Sequence, residues 1–186
     1  MNINLKEKYQ KEIVKELFES LKLRSISAAP KIKKIVINSG IGRIITSDSQ
    51  AEKTILPQII EDLSLITSQK PAIRQAKKSI SSLKVRKGMK VGLIVTLRGK
   101  RMYDFLERLI NIVIPRIRDF RGIDLNKIDD HGNLTIGIKE HTVFPEVNLE
   151  KTKITFGLEI TMVPEARTRE EAIKLYKLIG IPLKKS

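Results

Sequence analysis

The sequence predicts an α+β fold, in which a mainly antiparallel sheet has helices packed on one face and carries a long basic loop. Segments with alternating apolar residues and segments with helical apolar spacing follow one another irregularly, and several alternating segments keep one polar face. Hydrophobic residues make up 41% of the chain, which is typical of a folding sequence. The chain has 186 residues, which predicts a single domain over residues 1–186.

The N-terminal part predicts a helix, a strand and a second helix. Residues 4–22 have apolar side chains at helical spacing among mixed charges. Ile32–Ile41 is rich in β-branched residues and ends near a glycine pair, as expected of a strand. Helical spacing returns over Ile55–Ile66, where Pro57 predicts a kink or two short helices. Ahead of this segment, three polar residues are candidate N-caps, namely Ser47, Asp48 and Ser49.

The central part predicts an extended piece, a loop, a strand and a helix. Pro71 disfavours helix in the residue before it and opens the extended piece. Residues 76–90 have weak periodicity and predict a long loop. Val91–Arg98 alternates as a strand, and Lys100–Ile114 has the apolar stripe of a helix. The stripe consists of Met102, Phe105, Leu106, Leu109 and Val113.

The C-terminal part predicts a turn, two strands and a last helix. The turn Asp130–Asn133 leads into alternating residues over Leu134–Ile138. The segment with the clearest strand alternation is Lys153–Val163, which places Phe156 on its apolar face. The last helix has a capping box at its start and a glycine at its end: Thr168 with Glu171, and Gly180.

Positive charge is concentrated in one stretch of the chain. The formal net charge is +15, from 36 Lys and Arg against 21 Asp and Glu. Between Asp62 and Asp104 there are eleven basic residues and no acidic one. Since a solvated helical face usually alternates charge signs, this stretch indicates a surface that binds a polyanion; a solubilising surface or a membrane-surface patch is the alternative. Smaller basic clusters lie at Lys31–Lys34 and Pro115–Gly122.

The composition argues against several functional classes. The absence of cysteine excludes disulfides, thiol catalysis and cysteine-based zinc sites. Two histidines are too few for a histidine-rich metal centre. No apolar run is long enough to span a membrane, and no signal-peptide hydrophobic region is seen, so an intracellular protein without membrane contact is expected.

No catalytic residue is assigned from the sequence. His131 lies among ordinary turn residues, and His141 follows Glu140 near a strand end without a nucleophile beside it. The glycines of Asn38–Gly42 follow a strand, as in a dinucleotide-binding loop. However, Ile45 stands where the third glycine of that fingerprint would be.

One strand has the side chains for RNA recognition. Thr96 and Arg98 are two residues apart, so both are predicted to project from the polar side of the strand. A hydroxyl beside a guanidinium suits phosphate and 2′-hydroxyl groups, although an exposed strand face without a partner is the alternative. Aromatic residues are only 4% of the chain, too few for a base-stacking platform, so the favoured ligand is folded RNA.

Short motifs along the whole chain carry a family resemblance. The most specific are Thr96-Leu97-Arg98-Gly99 and Arg118-Asp119-Phe120-Arg121-Gly122. The others, in chain order, include Asn38–Gly42, Ile66–Pro71, Ala76–Ile80, Arg101–Leu106, Gly132-Asn133, Gly137–Glu140 and Phe144–Glu146. Together they resemble the ribosomal protein L5 family of the bacterial type, whose members bind 5S rRNA.

The resemblance implies a structural protein of the large ribosomal subunit rather than an enzyme. Such a protein helps to attach 5S rRNA in the central protuberance, and needs no metal, cofactor or small-molecule substrate. The implied location is the ribosome, in the cytoplasm or in an organelle. The implied partners are 5S rRNA, large-subunit rRNA, the P-site tRNA, a small-subunit head protein and neighbouring proteins of the central protuberance.

The resemblance also implies two sets of binding residues. The set for 5S rRNA lies on the exposed sheet face and comprises Asn38, Gln69, Lys70, Thr96 and Arg98. A flexible basic loop at about Ala72–Lys90 reaches tRNA in the family. Its implied contact residues are Arg74, Lys77, Lys78, Ser79, Lys84 and Arg86.

The chain departs from the family pattern at a few positions. Methionine is usual where Ser39 stands, and glycine is usual where Ser68 stands. Ser81-Ser82-Leu83 replaces a usual Ala-Gly-Phe, which removes a ring that could stack on a base. The segment Ile44–Lys53 is longer than usual. The alternatives to the ribosomal function are a general folded-RNA-binding module or RNA chaperone, and an enzyme acting on phosphorylated substrates.

Overall fold

The chain folds as an α+β protein around a five-stranded antiparallel sheet. The computed structural model describes residues 4–47, 50–118, 120–150 and 152–184. The strand order is β2-β3-β1-β5-β4. The strands are β1 (Lys31–Gly40), β2 (Ala72–Gln75), β3 (Lys90–Leu97), β4 (Leu134–Ile138) and β5 (Leu158–Glu165). The predicted fold class is confirmed.

The helices occupy the segments where the sequence has helical spacing. Helices α1 (Leu5–Lys8) and α2 (Val14–Ser20) are joined by a π-helical turn, as are α6 (Gly99–Arg108) and α7 (Ile114–Arg116). The other helices in the described residues are α3 (Gly42–Ser47), α4 (Ala51–Thr54), α5 (Leu56–Thr67) and α8 (Arg169–Ile179).

The chain divides into two compact units, which we call the terminal unit and the hairpin unit. The terminal unit consists of Met1–Ile35, Leu97–Ile136 and Thr161–Ser186. The hairpin unit consists of Val36–Thr96 and Gly137–Ile160. That residues 1–186 form one domain stays a prediction.

The terminal unit has a core between its N-terminal helix and α6. The rings of Tyr9 and Tyr103 pack with their centroids 6.0 Å apart, and the Tyr9 hydroxyl donates to the backbone oxygen of Pro30 at 3.0 Å. The Leu5 backbone N–H donates to the Glu107 carboxylate at 3.3 Å. All five residues of the predicted apolar stripe in α6 and the π-helical turn after it are buried, as the spacing predicts.

The last helix of the terminal unit is capped nearly as predicted. The Thr168 hydroxyl accepts from the Glu171 N–H, and Gly180 ends α8 in the left-handed conformation with φ of 98°. The Glu171 carboxylate, however, accepts from the N–H of Arg167 at 2.8 Å, one residue before the cap. The Arg169 side chain donates to two backbone oxygens of a segment more distant in the chain, those of Leu125 and Ile128.

In the hairpin unit, Pro57 begins a helix rather than kinking one. It lies in the first turn of α5, where its missing N–H would have had no helical partner. The short helix α4 ends before this segment, and α5 is a single helix, so the predicted kink or pair of short helices over Ile55–Ile66 is wrong. Ser47 ends α3, and the candidate caps Asp48 and Ser49 lie outside the described residues.

The predicted strand Lys153–Val163 begins later in the structure, at Leu158. Before that point, Phe156 pairs with His141 instead of with a strand, since each backbone N–H of this pair donates to the other residue. Phe156 is nevertheless 3% exposed, on the apolar side that the alternation predicts. Alternation reports which side is buried, whereas a strand also requires a partner for its backbone.

Ser68→Gly is expected to raise the free energy of unfolding by about 0.5–1 kcal/mol, because Ser68 ends α5 with φ of 53° and ψ of 28°, a region that favours glycine. Ser64→Gly, inside the same helix, is the matched control and is expected to lower it by about 1 kcal/mol. Urea denaturation measures both. Equal effects of the two substitutions would mean that the left-handed cap stores no strain.

Candidate nucleic-acid interface

The predicted basic loop connects the two strands of a β-hairpin. Strand β2 pairs antiparallel with β3, and Arg74 stands opposite Gly92 in this register. The extended piece predicted after Pro71 is therefore strand β2, and the loop implied for Ala72–Lys90 begins only after Gln75. No apolar alternation marks this strand, because every residue of β2 is exposed.

Backbone hydrogen bonds continue beyond β2 toward the hairpin tip. Ala76 donates to the Met89 oxygen and accepts from the Gly88 N–H, both at 2.9 Å. Ile80 and Val85 exchange two backbone hydrogen bonds across the tip, at 2.8 and 3.1 Å. The long loop predicted over residues 76–90 therefore contains a 3-10 turn, Ser81–Leu83, and its two arms satisfy part of each other's backbone.

The hairpin presents an array of unpaired cations, which we call the hairpin cations. All of them are exposed, and among the described residues none has an ion pair. They are Arg74, Lys77, Lys78, Lys84, Arg86 and Lys87. Lys90 differs, because its ammonium lies 2.9 Å from the Glu52 carboxylate. The predicted contact residue Ser79 accepts from the Lys87 N–H at 2.9 Å, so its hydroxyl helps to build the turn.

Three large apolar side chains on the hairpin are also exposed, and the sequence analysis missed them as surface features. Ile73, Ile80 and Leu83 are 40%, 46% and 62% exposed. Apolar groups beside cations suit a ligand that offers both phosphates and the apolar parts of sugars or bases. The signal that could have found them is that single apolar residues stand among basic and polar residues in an acid-free stretch.

Asn38 and Thr96 lie on the polar sides of neighbouring strands. In β1, Asn38 is half-buried, whereas Ile37 and Ser39 beside it are buried. In β3, Thr96 is half-buried, whereas Val95 beside it is buried. Because β1 and β3 are adjacent in the sheet and successive side chains point to opposite sides, Asn38 and Thr96 share the less buried side.

Gln69 and Thr96 are brought into contact although they are 27 residues apart in the sequence. The Gln69 side-chain amide donates to the Thr96 backbone oxygen at 3.4 Å. The Thr67 hydroxyl donates to the Gln69 backbone oxygen at 2.9 Å, which holds the segment after α5. Lys70, the next residue, is exposed.

Arg98 follows β3 directly and is exposed. It occupies the N-cap position of α6 with an extended backbone, and its side chain makes no capping hydrogen bond. The strand thus ends one residue before the predicted end at Arg98, since Gly99 adopts a φ of 58° and starts the helix. The guanidinium remains available to an anionic ligand.

The sequence analysis gave no structural role to Ser39, which is 3% exposed. The Ser39 hydroxyl donates to the backbone oxygen of Gly157 at 3.0 Å. This bond fixes the end of β1 next to Asn38. The available signal was its position two residues from both Ile37 and Ile41, which indicates the buried side of the strand, but its bond to Gly157 could not be read from the sequence.

His141 and Asp62 form a buried pair in the hairpin unit. His141 is fully buried, and its Nε2 lies 3.5 Å from the Asp62 carboxylate. Burial lowers the pKa of His141 and raises that of Asp62. Phe156 stacks on the imidazole with centroids 3.9 Å apart, and its N–H donates to Nδ1. The ring is closed in by protein groups, which fits a packing role rather than chemistry on a substrate.

Two kinds of feature are absent from the part of the chain that the structure describes. Within residues 4–47, 50–118, 120–150 and 152–184, no group of three or more His, Cys, Asp or Glu side chains could hold a metal ion. No helix in that part of the chain is long and apolar enough to cross a membrane.

Comparisons with known proteins match the chain over nearly its whole length. The family model described as "Ribosomal protein L5" matches residues 25–86, and the model described as "ribosomal L5P family C-terminus" matches residues 90–183. Proteins called "Large ribosomal subunit protein uL5" are similar throughout. The one from Spiroplasma kunkelii is 45% identical over 185 residues, covering 100% of both chains. The one from Pseudothermotoga lettingae is 47% identical over 183 residues, covering 98% of this chain and 97% of the relative.

Proposed function

The chain belongs to the ribosomal protein L5 family and is a structural protein of the large ribosomal subunit, not an enzyme. We propose that it binds 5S rRNA through the polar side of β1 and β3. The observation that carries the proposal is the grouping of Gln69 with Thr96 at 3.4 Å, on a strand whose neighbour carries Asn38. Lys70 and Arg98 supply exposed positive charge beside these neutral groups along the chain.

The side chains of this proposed site suit a folded RNA. Amide and hydroxyl groups both donate and accept, so they can bond 2′-hydroxyls and base edges of a double-stranded segment. Phe156, an aromatic residue of the nearby alternating segment, is buried and cannot stack on a base. Recognition would therefore rest on RNA shape and on sugar and phosphate contacts.

The hairpin cations are proposed to contact a second RNA, the P-site tRNA. Their charges have no ion-pair partners among the described residues, and a hairpin held by few hydrogen bonds can adapt to a ligand. We further propose that the protein lies in the central protuberance, touches large-subunit rRNA and neighbouring proteins there, and bridges to a small-subunit head protein. Family membership supports these placements.

The test is competition binding of the purified protein to 5S rRNA, with tRNA and random duplex RNA as competitors across a salt series. Tight binding that resists both competitors is expected. If about six phosphates are neutralised, log affinity should fall with log salt at a slope of roughly −4 to −5. Equal binding to all three RNAs that collapses with salt would instead favour a general RNA-binding module or chaperone.

Arg98→Ala is expected to weaken 5S rRNA binding by about 1–3 kcal/mol, because a charge-assisted contact to the RNA is lost. The salt slope should flatten by about one at the same time. Filter binding at several salt concentrations measures both. The control is Arg24→Ala, an exposed arginine outside the proposed site. Affinity and slope that match the wild type would remove Arg98 from the site.

Replacing both Lys77 and Lys78 by alanine is expected to leave 5S rRNA affinity within about twofold, while tRNA binding weakens by roughly tenfold. The reason is that these two hairpin cations are proposed to serve the tRNA only. Titration of the same variant with each RNA separately is the measurement. Equal losses for the two RNAs would refute the division into two surfaces.

A further inference from the structure

The proposed 5S rRNA site takes its side chains from separate elements of the hairpin unit. Asn38 lies on β1, whereas Gln69 follows the end of α5. A hydrogen bond forms over a donor–acceptor distance of about 2.7–3.2 Å, so two groups that bind one RNA together must keep a fixed spacing. The residues that set the spacing between β1 and the end of α5 therefore matter to the site without touching the RNA.

The buried polar side chains of the described residues lie in one part of the chain. Apart from tyrosines, the buried residues with a polar or charged side chain are Ser39, Asp62, Thr67 and His141. All four belong to the hairpin unit. Burying such a group costs more free energy than burying an apolar group of the same size, and what it adds to the structure is a bond of defined geometry. Their grouping in one unit indicates a place where exact geometry is needed.

Ser39 fixes the end of β1. It is the neighbour of Asn38 but points to the opposite, buried side of the strand. Its hydroxyl donates to the Gly157 oxygen at 3.0 Å. Gly157 lies against the end of β4, since an added Cβ would be 3.3 Å from the Ile138 oxygen and 3.5 Å from the Lys139 oxygen. β1 is thereby held to a segment that has little room to move.

The same segment is joined to α5 through a buried histidine. Phe156, next to Gly157, exchanges two hydrogen bonds with His141, at 3.0 and 3.4 Å, and stacks on its ring. The ring atom Nε2 lies 3.5 Å from the carboxylate of Asp62, a residue of α5. The imidazole therefore lies between the segment that holds β1 and the helix that leads to Gln69.

Thr67 completes the connection at the end of α5. It is 1% exposed, and its hydroxyl lies 2.9 Å from the backbone oxygen of Gln69. The Gln69 side chain donates to the Thr96 oxygen at 3.4 Å. The four buried polar residues thus form one path, which begins beside Asn38 and ends at Gln69.

We propose that Ser39, Asp62, Thr67 and His141 are positioning residues, which set the spacing between Asn38 and Gln69 and contact no RNA themselves. We call these four residues the buried polar network. The network serves the 5S rRNA site of the proposed function, on which this inference rests. Because none of the four reaches a phosphate, replacing them should lower the affinity without changing the salt slope, unlike Arg98→Ala.

The first test is a double-mutant cycle on the full chain, titrated with 5S rRNA at several salt concentrations. Ser39→Ala is expected to weaken binding by roughly fivefold at an unchanged salt slope. In an Asn38→Ala background the same substitution should change affinity by less than about twofold, because the side chain that it positions is gone. The control for lost stability is Tyr176→Phe, which removes a buried hydroxyl from the terminal unit and should bind as the wild type does.

Equal losses from Ser39→Ala in the two backgrounds would overturn the proposal, because Ser39 would then not act through Asn38. An equal loss in Tyr176→Phe would do so as well, since lower stability alone would then explain the effect. A flattened salt slope in Ser39→Ala would contradict a purely positioning role.

The second test compares two substitutions at the other end of the network. Thr67→Val keeps the shape of the side chain and removes its hydroxyl, whereas Thr67→Ser keeps the hydroxyl and removes a buried methyl group. The valine variant is expected to lose roughly fivefold in 5S rRNA affinity, and the serine variant less than about twofold. A loss in the serine variant as large as in the valine variant would mean that only packing matters at this position, against the proposal.

The third measurement needs no RNA. Backbone amide hydrogen exchange over Ile66–Lys70 should be faster by roughly threefold or more in Ser39→Ala than in the wild type, and unchanged in Tyr176→Phe. Exchange that is the same in Ser39→Ala and the wild type would show that β1 is not coupled to the end of α5, and the network would fail.

These outcomes are separable from that of the proposed function. If the wild type showed no preference for 5S rRNA over the competitors, the proposed function would fail, and the exchange measurement would still decide whether β1 and the end of α5 are coupled. If 5S rRNA bound as expected and Ser39→Ala and Thr67→Val matched the wild type, only the buried polar network would fail.

Discussion

Gly132→Ala is expected to destabilise the protein by about 2–5 kcal/mol, as the sum of backbone strain and overpacking. Gly132 has φ of 81°, a conformation that costs an L-residue about 1–2 kcal/mol. An added Cβ would also lie only 2.5 Å from the Ala172 Cβ and 3.4 Å from the Pro164 Cγ. Ala172 is on helix α8 and has no flexible end that could move aside.

The close approach at Gly132 is part of how α8 is held in the terminal unit. The hydroxyl of the fully buried Tyr176 donates to the Gly132 oxygen at 2.8 Å and lies 3.3 Å from the Met162 oxygen. Pushing the turn away from α8 would stretch these buried hydrogen bonds, so the clash cannot be relieved without a further cost.

Urea denaturation of Gly132→Ala measures this effect, with Gly137→Ala as the matched control. Gly137 is exposed in β4 and an added Cβ would meet nothing within 4 Å, so its substitution should change the free energy of unfolding by less than about 0.5 kcal/mol. In an Ala172→Gly background the overpacking part should vanish and the strain should remain. A loss of stability that is the same in both backgrounds would mean that the contact with Ala172 contributes nothing.

His141→Ala is expected to destabilise the protein by about 3 kcal/mol or more, because it opens a cavity and leaves the Asp62 carboxylate without its neighbour. The ring is fully buried and stacked on Phe156. His131→Ala is the matched control, since His131 is exposed in a turn and its loss should cost less than about 0.5 kcal/mol. Equal small effects at the two histidines would contradict the buried role of His141.

The buried pair also predicts the direction of a pH dependence. Because the Phe156 N–H donates to Nδ1, the neutral ring carries its proton on Nε2, facing Asp62. Burial lowers the pKa of His141 below its ordinary value of 6.5, so the unfolded chain takes up a proton first on acidification. The stability that this group contributes is present above pH 6.5 and is lost as the pH falls below it. Burial raises the pKa of Asp62, so at pH values above the ordinary aspartate pKa the folded protein takes up this proton before the unfolded chain does. In that more acidic range, lowering the pH therefore raises the stability that Asp62 contributes.

The measurement is the free energy of unfolding from about pH 7.5 to about pH 5.5 for the wild type and for His141→Gln. The wild type should lose up to about 1.4 kcal/mol more per pH unit than the variant over this range. A wild type that instead gains stability relative to the variant on acidification would show that the folded ring is protonated and that the pair is ionic.

Strands with one buried side could be predicted from the sequence, and strands without one could not. β3 and β4 were found because apolar residues alternate along them, and β1 was found because it is rich in β-branched residues. β2 was predicted only as an extended piece, because all of its residues are exposed and its pairing with β3 is what makes it a strand. The start of β5 was placed too early, because Phe156 is buried on the predicted side yet bonds to His141.

The candidate site divides in the same way. Some features of the site are local, so they could be predicted from the sequence alone. They are the acid-free stretch, Thr96 with Arg98, and the family motifs. Three other contacts join residues that are far apart in the chain, so no local pattern shows them. They are the bond from Gln69 to Thr96, the bond from the buried Ser39 to Gly157, and the pairing of His141 with Asp62.

The sequence by itself determined the fold class, the family and the sign and location of the charge, because composition, periodicity and motifs depend only on neighbouring residues. Only the tertiary structure decided which polar groups share a strand side, that the basic loop joins two paired strands, and that Lys184 stands beside Gly122. The physical reason is that backbone pairing and close packing are set by contacts between distant segments, which no local pattern encodes.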